Sequence, residues 1–364
     1  MMMRRAIHSC RRLATASKVP CVLLNAARLD YDGRLDFSRL EAVADVTRFE
    51  VSAEADVAAR CAGAAVVVNK ELPLSAAVIG ALPDSVGLVV EAGTGYNNID
   101  LAAARERGIS VCNVPTYATE AMAQMAITSV LALSCSLWQQ ASLLARGDRS
   151  VMRDCHLGAL PHFEIAGKTL GLVGGRGTIG RRVAAMARAL GMVVVASDLP
   201  STPLGDDGGL EVVAFGDLLA RSDFVSVHCP LSPATTGLVD AAALGAMKET
   251  AFLINTARGD IVDRSALVAA LAEKSIAGAA LDVYGPGSAP PPALPEDDPL
   301  YGLLDNVILT PHIGWQRLEA RQRVVDMCAD SVSAFLAGEP ANVDTATGLP
   351  RARPAARSEE GCST

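Results

Sequence analysis

Short runs that are apolar at nearly every position alternate along the chain with stretches whose apolar residues recur at helical spacing. A strand that is apolar throughout is buried on both faces, the condition of a parallel sheet covered by helices on either side. The pattern predicts two such units. In the first, "CVLLNA", "AAVVVN", "VGLVVEA" and "ISVCNV" read as buried strands, separated by alanine-rich helical stretches such as Asp100 to Arg107. In the second, the strands are "TLGLVG", "VVVAS", "FVSVHC", "AFLIN", "AGAALDV" and "NVILT". A long helical region after Val114 crosses between them. From Gln316 to Leu336 the apolar positions Val324, Val325, Met327, Cys328, Val332, Phe335 and Leu336 fall close to helical period. This helix follows the last strand of the second unit and is expected to return to the first, making that domain discontinuous. From Thr345 onward there is little to bury, and the pattern reads as a loose tail.

Composition narrows the class. A chain of 364 residues, half of them hydrophobic, fits two domains with real cores. The net charge of -8 argues against a nucleic-acid surface, which needs clustered Lys and Arg, and favours small-molecule ligands. Nine cysteines without C-x-x-C spacing signal neither a disulfide framework nor a metal site. The first residues carry Arg4, Arg5, Arg11, Arg12 and Lys18 with Ser9, Thr15 and Ser17, and no acid precedes Asp30. That is the composition of a mitochondrial transit peptide over residues 1–18, the alternative being a basic start on a cytoplasmic protein. The stretch from Ala121 to Trp138 is uncharged and of membrane-spanning length, but it carries Gln124, Thr128, Ser129, Ser134 and Ser136. A helix buried between domains or subunits is expected there, with no membrane role.

The most specific chemical signal is "TLGLVGGRGTIGRRVAAMARALGMVVVASD", Thr169 to Asp198. It holds a strand, then Gly175-x-Gly177-x-x-Gly180, a helix, a second strand and an acid at that strand's end, which together make a dinucleotide fingerprint. Gly175 permits the tight turn, Gly177 lets main-chain N–H groups approach a pyrophosphate, and Gly180 lets helix and strand touch. The buried stripe of the helix is read as Ile179, Val183, Met186, Ala187 and Leu190. Asp198, twenty-one residues beyond Gly177, is placed to accept hydrogen bonds from ribose hydroxyls. A carboxylate there repels a 2′-phosphate, and the following "LPSTP" holds no arginine, so NAD is favoured over NADP.

Taken with that fingerprint, "EAGTGYNNIDLAAARERGISVCNVPTYATEAMAQ", "HCPLSPATTGLVD", "FLINTARGDIVD", "AGAALDV" and "TPHIGW" resemble the D-isomer-specific 2-hydroxyacid dehydrogenases, in the family's order and near its spacing. The glycerate dehydrogenase or hydroxypyruvate reductase branch is the nearest match. The resemblance implies an α/β fold of two Rossmann-like domains, in which a doubly wound NAD-binding domain (117–313) is inserted into a discontinuous flavodoxin-like substrate domain (19–116 and 314–344). Residues 345–364 remain as the tail. It implies a homodimer joined through the NAD-binding domain, and NAD-dependent hydride transfer that interconverts a small D-2-hydroxy acid and its 2-oxo acid, of the hydroxypyruvate or glyoxylate type.

By the same resemblance, Arg258 binds the substrate carboxylate, a task suited to a planar guanidinium fork. Thr94 and Gly95 offer main-chain N–H groups to that carboxylate, and Lys70 lies near the substrate side. His312 corresponds to the general acid–base residue, since an imidazole titrating near neutrality can protonate the oxygen left by hydride addition. Thr178 and Ile179 meet the pyrophosphate. Cys229, Pro230 and Thr235 line the adenosine side, with His228 beside the adenine pocket. Thr256, Ala257, Asp282 and Gly314 approach the nicotinamide, Asp282 accepting from its carboxamide.

One position departs from the family. A glutamate that orients the catalytic histidine belongs five residues after Asp282 and twenty-nine after Arg258, and both counts land on Gly287. Three alternatives stand at this point. Glu296, Asp297 or Asp298 folds back to His312; His312 works without a carboxylate; or the chain keeps the pocket without the reaction. A competing class is a nucleotide-sensing interaction protein, because one fold hosts many functions.

Overall fold

The structure is a computed structural model that describes residues 18–150, 160–198, 203–285 and 294–338. Of the stretch expected to be a transit peptide, residues 1–17 lie outside these residues, as do Gly287 and the expected tail from 345. The chain divides into two units, residues 1–117 with 321–364, and residues 118–320. The sequence reading places the second crossing at 313/314.

The first unit is a five-stranded sheet of β1 (Val19–Leu24), β2 (Ala44–Phe49), β3 (Val66–Asn69), β4 (Leu88–Glu91) and β5 (Ser110–Asn113), all parallel, in the order β2-β1-β3-β4-β5. This is the doubly wound order of flavodoxin-like domains. The four strands read from the sequence are those buried at nearly every position. β2 escaped notice because it is an edge strand whose side chains are largely solvated.

The second unit is an eight-stranded sheet. Its strands are β6 (Thr169–Val173), β7 (Val193–Ser197), β8 (Gly205–Asp207), β9 (Leu210–Val212), β10 (Phe224–Val227), β11 (Phe252–Asn255), β12 (Gly278–Leu281) and β13 (Val307–Leu309), in the order β13-β12-β11-β10-β6-β7-β9-β8. All pairings are parallel except that of β8 with β9, a short edge hairpin the sequence reading did not anticipate. Alternate residues feed two separate cores. Leu170, Leu172, Phe224, Phe252 and Ile254 face one, while Val173, Val195, Val225, Val227 and Leu253 face the other.

The uncharged stretch after Tyr117 forms two helices, α1 (Thr119–Ser134) and α2 (Leu137–Ala145), bent by 67° about Ser136. Ser136 takes a left-handed conformation, φ 50°, and its hydroxyl donates to Pro161 O at 2.5 Å. No single described helix is long and apolar enough to cross a membrane. Helix α3 (Thr178–Ala189) buries Gly180, Val183, Ala184 and Ala187, but Leu190, read as part of its buried stripe, caps its end and is 41% exposed.

Helix α4 (Leu318–Ala337) carries the chain back into the first unit. There Arg321, almost wholly buried, donates to both carboxylate oxygens of Asp32 (2.9 and 2.6 Å) and to Leu29 O. Phe335 lies against Gly87, where an added Cβ would stand 3.0 Å from the ring. Phe335→Ala is expected to lower the unfolding free energy by about 3–5 kcal/mol, the usual range for a buried phenylalanine. A urea-denaturation loss below about 1 kcal/mol would show that α4 does not complete this core.

Candidate active site

In a parallel sheet every strand ends on the same edge, and ligands gather there where the strand order reverses. The reversal here lies between β10 and β6. On one side of it are the glycine turn after β6 and Asp198 after β7. On the other are Cys229 after β10, Arg258 after β11, Asp282 after β12 and His312 after β13. The sheet therefore collects nearly all the predicted groups of this unit along one edge.

The glycine turn has the shape of a cradle. Gly174, which the sequence reading passed over, is the residue with left-handed backbone (φ 84°), and a Cβ on it would lie 2.6 Å from Cys229 N. The tight turn is thus made at Gly174. Gly175 answers a different need, since its missing Cβ would meet that of Ala196 at 2.6 Å, and Gly180's would lie 2.7 Å from Gly174 O. Gly177 caps α3, so the N–H groups of Thr178 and Ile179 open its first turn with no intrahelical acceptor.

Asp198 is mostly buried, and burial pushes its carboxyl above the ordinary value. Its Oδ2 has no hydrogen-bond partner among the described residues. A buried acceptor of this kind needs a donor, and a ribose hydroxyl supplies one. The residues present therefore fit a dinucleotide.

The absence of arginine from "LPSTP" is only half of the charge argument. The fold brings Arg176 Nε to 3.9 Å from Asp198 Oδ2. Thr235, expected to line the adenosine side, is buried, and its hydroxyl donates to Pro230 O at 2.7 Å and accepts from Ser232 N at 2.8 Å. It shapes the turn that carries Cys229 and Pro230 and presents no free hydroxyl. His228 shares a 2.9 Å hydrogen bond with Ser226, and burial lowers its pKa to about 4, leaving it neutral.

At the other end of the edge, Asn255 binds the turn after β11. Its Oδ1 accepts from Ala257 N (3.0 Å) and its Nδ2 donates to Arg258 O (2.9 Å). Arg258 donates through Nη1 to Ala257 O, while its buried Nε has no partner among the described residues. Thr256 Oγ1 is likewise buried without a described partner. Gly259 admits the neighbouring loop, because a Cβ there would lie 2.4 Å from Gly285 O.

Asp282 also ties down the turn that follows β13. Its Oδ1 accepts from Thr310 Oγ1 (2.6 Å) and Ile313 N (2.9 Å), and its Oδ2 from Gly314 N (2.9 Å). Its main-chain oxygen accepts from His312 N at 3.0 Å. Both carboxylate oxygens thus brace the turn that carries His312. His312 sits in that turn at φ 55°, a rare conformation for a residue other than glycine, held there by the surrounding bonds. Gly314 packs against Asp282 Oδ2 and the Met122 sulfur, each 3.0 Å from where a Cβ would be.

The candidate replacements for the missing acid separate. Asp298 is buried, paired with Arg264 and accepting from Leu300 N at 3.0 Å, so it is committed to its own turn and not to His312. Glu296 and Asp297 are exposed.

In the first unit, Thr94 and Gly95 follow β4. The Thr94 hydroxyl donates to Pro115 O at 3.1 Å, and Thr94 O accepts from Asn113 Nδ2 at 2.7 Å. Lys70, expected near the substrate side, is only 1% exposed and its ammonium donates to Glu71 Oε1 (2.8 Å) and Ala92 O (3.1 Å). It supports the loop after β4 from within. The sequence reading missed Glu91, a wholly buried carboxyl that accepts from Asn69 Nδ2 (2.7 Å), Asn98 Nδ2 (2.9 Å) and Glu71 N (3.1 Å). Apolar neighbours in "LVVEA" gave no sign of it.

The fold and this edge define a dinucleotide-dependent oxidoreductase. Residues 134–314 match the family model described as D-isomer specific 2-hydroxyacid dehydrogenase, NAD binding domain. A hydroxypyruvate reductase of Blautia hydrogenotrophica is 33% identical over 314 residues, covering 85% of this chain and 95% of that protein. A glycerate dehydrogenase of Methylorubrum extorquens is 36% identical over 291 residues, covering 79% and 88%. Among solved structures, the NAD-complexed D-isomer specific 2-hydroxyacid dehydrogenase of Lactobacillus delbrueckii ssp. bulgaricus superposes with a TM-score of 0.71 at 26% identity, covering 90% of this chain and all of that one. The chain belongs to the D-isomer specific 2-hydroxyacid dehydrogenase family. Its cofactor is NAD, and its reaction interconverts a 2-hydroxy acid and its 2-oxo acid.

Burial raises the Glu91 pKa from 4.5 to about 7. The folded state therefore keeps this proton where the unfolded chain has lost it, and the stability gained from it is lost as pH rises from about 4.5 through about 7. Glu91→Gln is expected to flatten the decline in unfolding free energy over that range. An unchanged slope in denaturant melts at pH 5, 6, 7 and 8 would contradict this.

Proposed function

We propose that the protein reduces a small, polar 2-oxo acid of the hydroxypyruvate or glyoxylate type with NADH. The observation that carries the reading is the common sheet edge on which Arg258 and the Asp282-braced His312 follow strands two positions apart, about 10 Å at ordinary strand spacing. The names of the two relatives point to the same substrate class. In this reading the Arg258 guanidinium holds the substrate carboxylate in a paired fork that includes Nε, which has no partner among the described residues. Thr256, Ala257 and Gly314 flank the nicotinamide, and Thr178 and Ile179 turn their N–H groups to the pyrophosphate. Bound NADH supplies the hydride. His312 holds a proton at the edge of the turn and passes it to the substrate oxygen as negative charge develops there.

Leu131, Leu137, Trp138 and Leu144, all exposed on α1 and α2, support a homodimer closed through the NAD-binding unit. The basic, acid-free composition of the first eighteen residues supports delivery to mitochondria. With Asp298 committed to Arg264, Glu296 and Asp297 are the loop acids left to serve His312, and a Gly287→Glu variant is expected to raise turnover.

The test is purified protein with NADH and a panel of short 2-oxo acids, followed at 340 nm. Hydroxypyruvate or glyoxylate is expected to be reduced fastest, with Arg258→Lys lowering kcat/KM by at least about a hundredfold through loss of the bidentate fork. NADH binding with no oxidation by any of the acids would sink the assignment.

A further inference from the structure

Four charged groups meet beside the place where the adenosine ribose is recognised. Arg176 stands inside the glycine turn, Arg181 on the first turn of α3, Asp198 at the end of β7, and Asp207 on the β8–β9 hairpin. Arg176 Nε donates to Asp207 Oδ2 at 2.5 Å, and Arg181 Nη2 donates to the same oxygen at 2.7 Å. Arg181 also donates through Nε to Arg176 O at 3.1 Å and through Nη1 to Asp207 O at 3.4 Å. Arg176 Nε lies 3.9 Å from Asp198 Oδ2.

These side chains carry two positive and two negative charges, so the cluster is neutral. The two acids do different work. Asp198 is the mostly buried acceptor with an unsatisfied oxygen, suited to a ribose hydroxyl. Asp207 is more open to solvent and accepts from both arginines. Exposed ion pairs of its kind add little to stability. Their consequence is electrostatic, because guanidinium forks are the natural partners of a phosphate dianion and here one carboxylate holds both.

We propose that Asp207 is a cofactor-specificity residue, which masks a latent 2′-phosphate site made by Arg176 and Arg181. Preference for NAD then depends on two carboxylates, Asp198 through the ribose hydroxyl and Asp207 through the arginines it holds. The edge hairpin is the element that delivers the second. This rests on the assignment of NAD as cofactor and adds a residue that sets the choice.

The experiment is isothermal titration calorimetry of NADH and NADPH into the purified protein, its Asp207→Asn and Asp207→Ser variants, and the double variant Asp207→Asn with Arg176→Ala. Both single variants are expected to tighten NADPH by about tenfold, the worth of one freed charge-assisted hydrogen bond, and to leave NADH within about twofold. The double variant is expected to lose the gain, and 0.5 M NaCl to shrink it in the single variants. An NADPH to NADH ratio unchanged in both single variants would overturn the proposal, as would a gain that survives Arg176→Ala. Wild-type protein that binds neither nucleotide would overturn the NAD assignment itself, and this proposal with it.

Discussion

The site depends on one carboxylate. Asp282 follows β12 directly, and its two oxygens gather a hydroxyl and two main-chain N–H groups from a turn some thirty residues further along the chain. Without it the Gly314 N–H would be buried and unpaired, a penalty of about 1–3 kcal/mol. With it, the turn holds His312 in a left-handed conformation that an isolated histidine would seldom adopt. The acid is best described as a positioning residue for the imidazole.

The rest of the edge follows the same logic of short polar ties at strand ends. Asn255 fixes the turn that displays Arg258, and Gly259 lets the loop from β12 pass against it. Gly174 turns the chain sharply enough to leave the start of α3 open toward a pyrophosphate. Among the described residues, Arg258 Nε and Asp198 Oδ2 are left without a hydrogen-bond partner. Buried polar atoms without partners are unusual in proteins, and these two stand where the family chemistry needs a carboxylate and a ribose hydroxyl.

Much of this was legible in the sequence, for physical reasons that also mark where reading fails. Strands buried on both faces announce themselves through apolar runs, so β1, β3 and β11 could be read directly, whereas β2 and the β8–β9 hairpin lie at sheet edges, where polar residues are tolerated and erase the signal. The glycine fingerprint was visible because only glycine satisfies its close contacts. Which glycine makes the left-handed turn was not, because Gly174 and Gly175 are adjacent and differ only in what faces them. Long-range polar pairings are the least legible of all. Lys70, Glu91 and Arg321 look like surface residues by type, yet all three are buried through partners that no local pattern specifies.

The most direct test of the positioning role is a double-mutant cycle on kcat/KM for 2-oxo acid reduction, with Asp282→Asn made in wild-type protein and in a His312→Gln background. If the carboxylate acts through the imidazole, Asp282→Asn lowers the rate by about ten- to a hundredfold in the first, within the total worth of a placed general acid, and by no more than about twofold in the second. Equal losses in both backgrounds would contradict the account, because Asp282 would then act on the reaction without the histidine it holds.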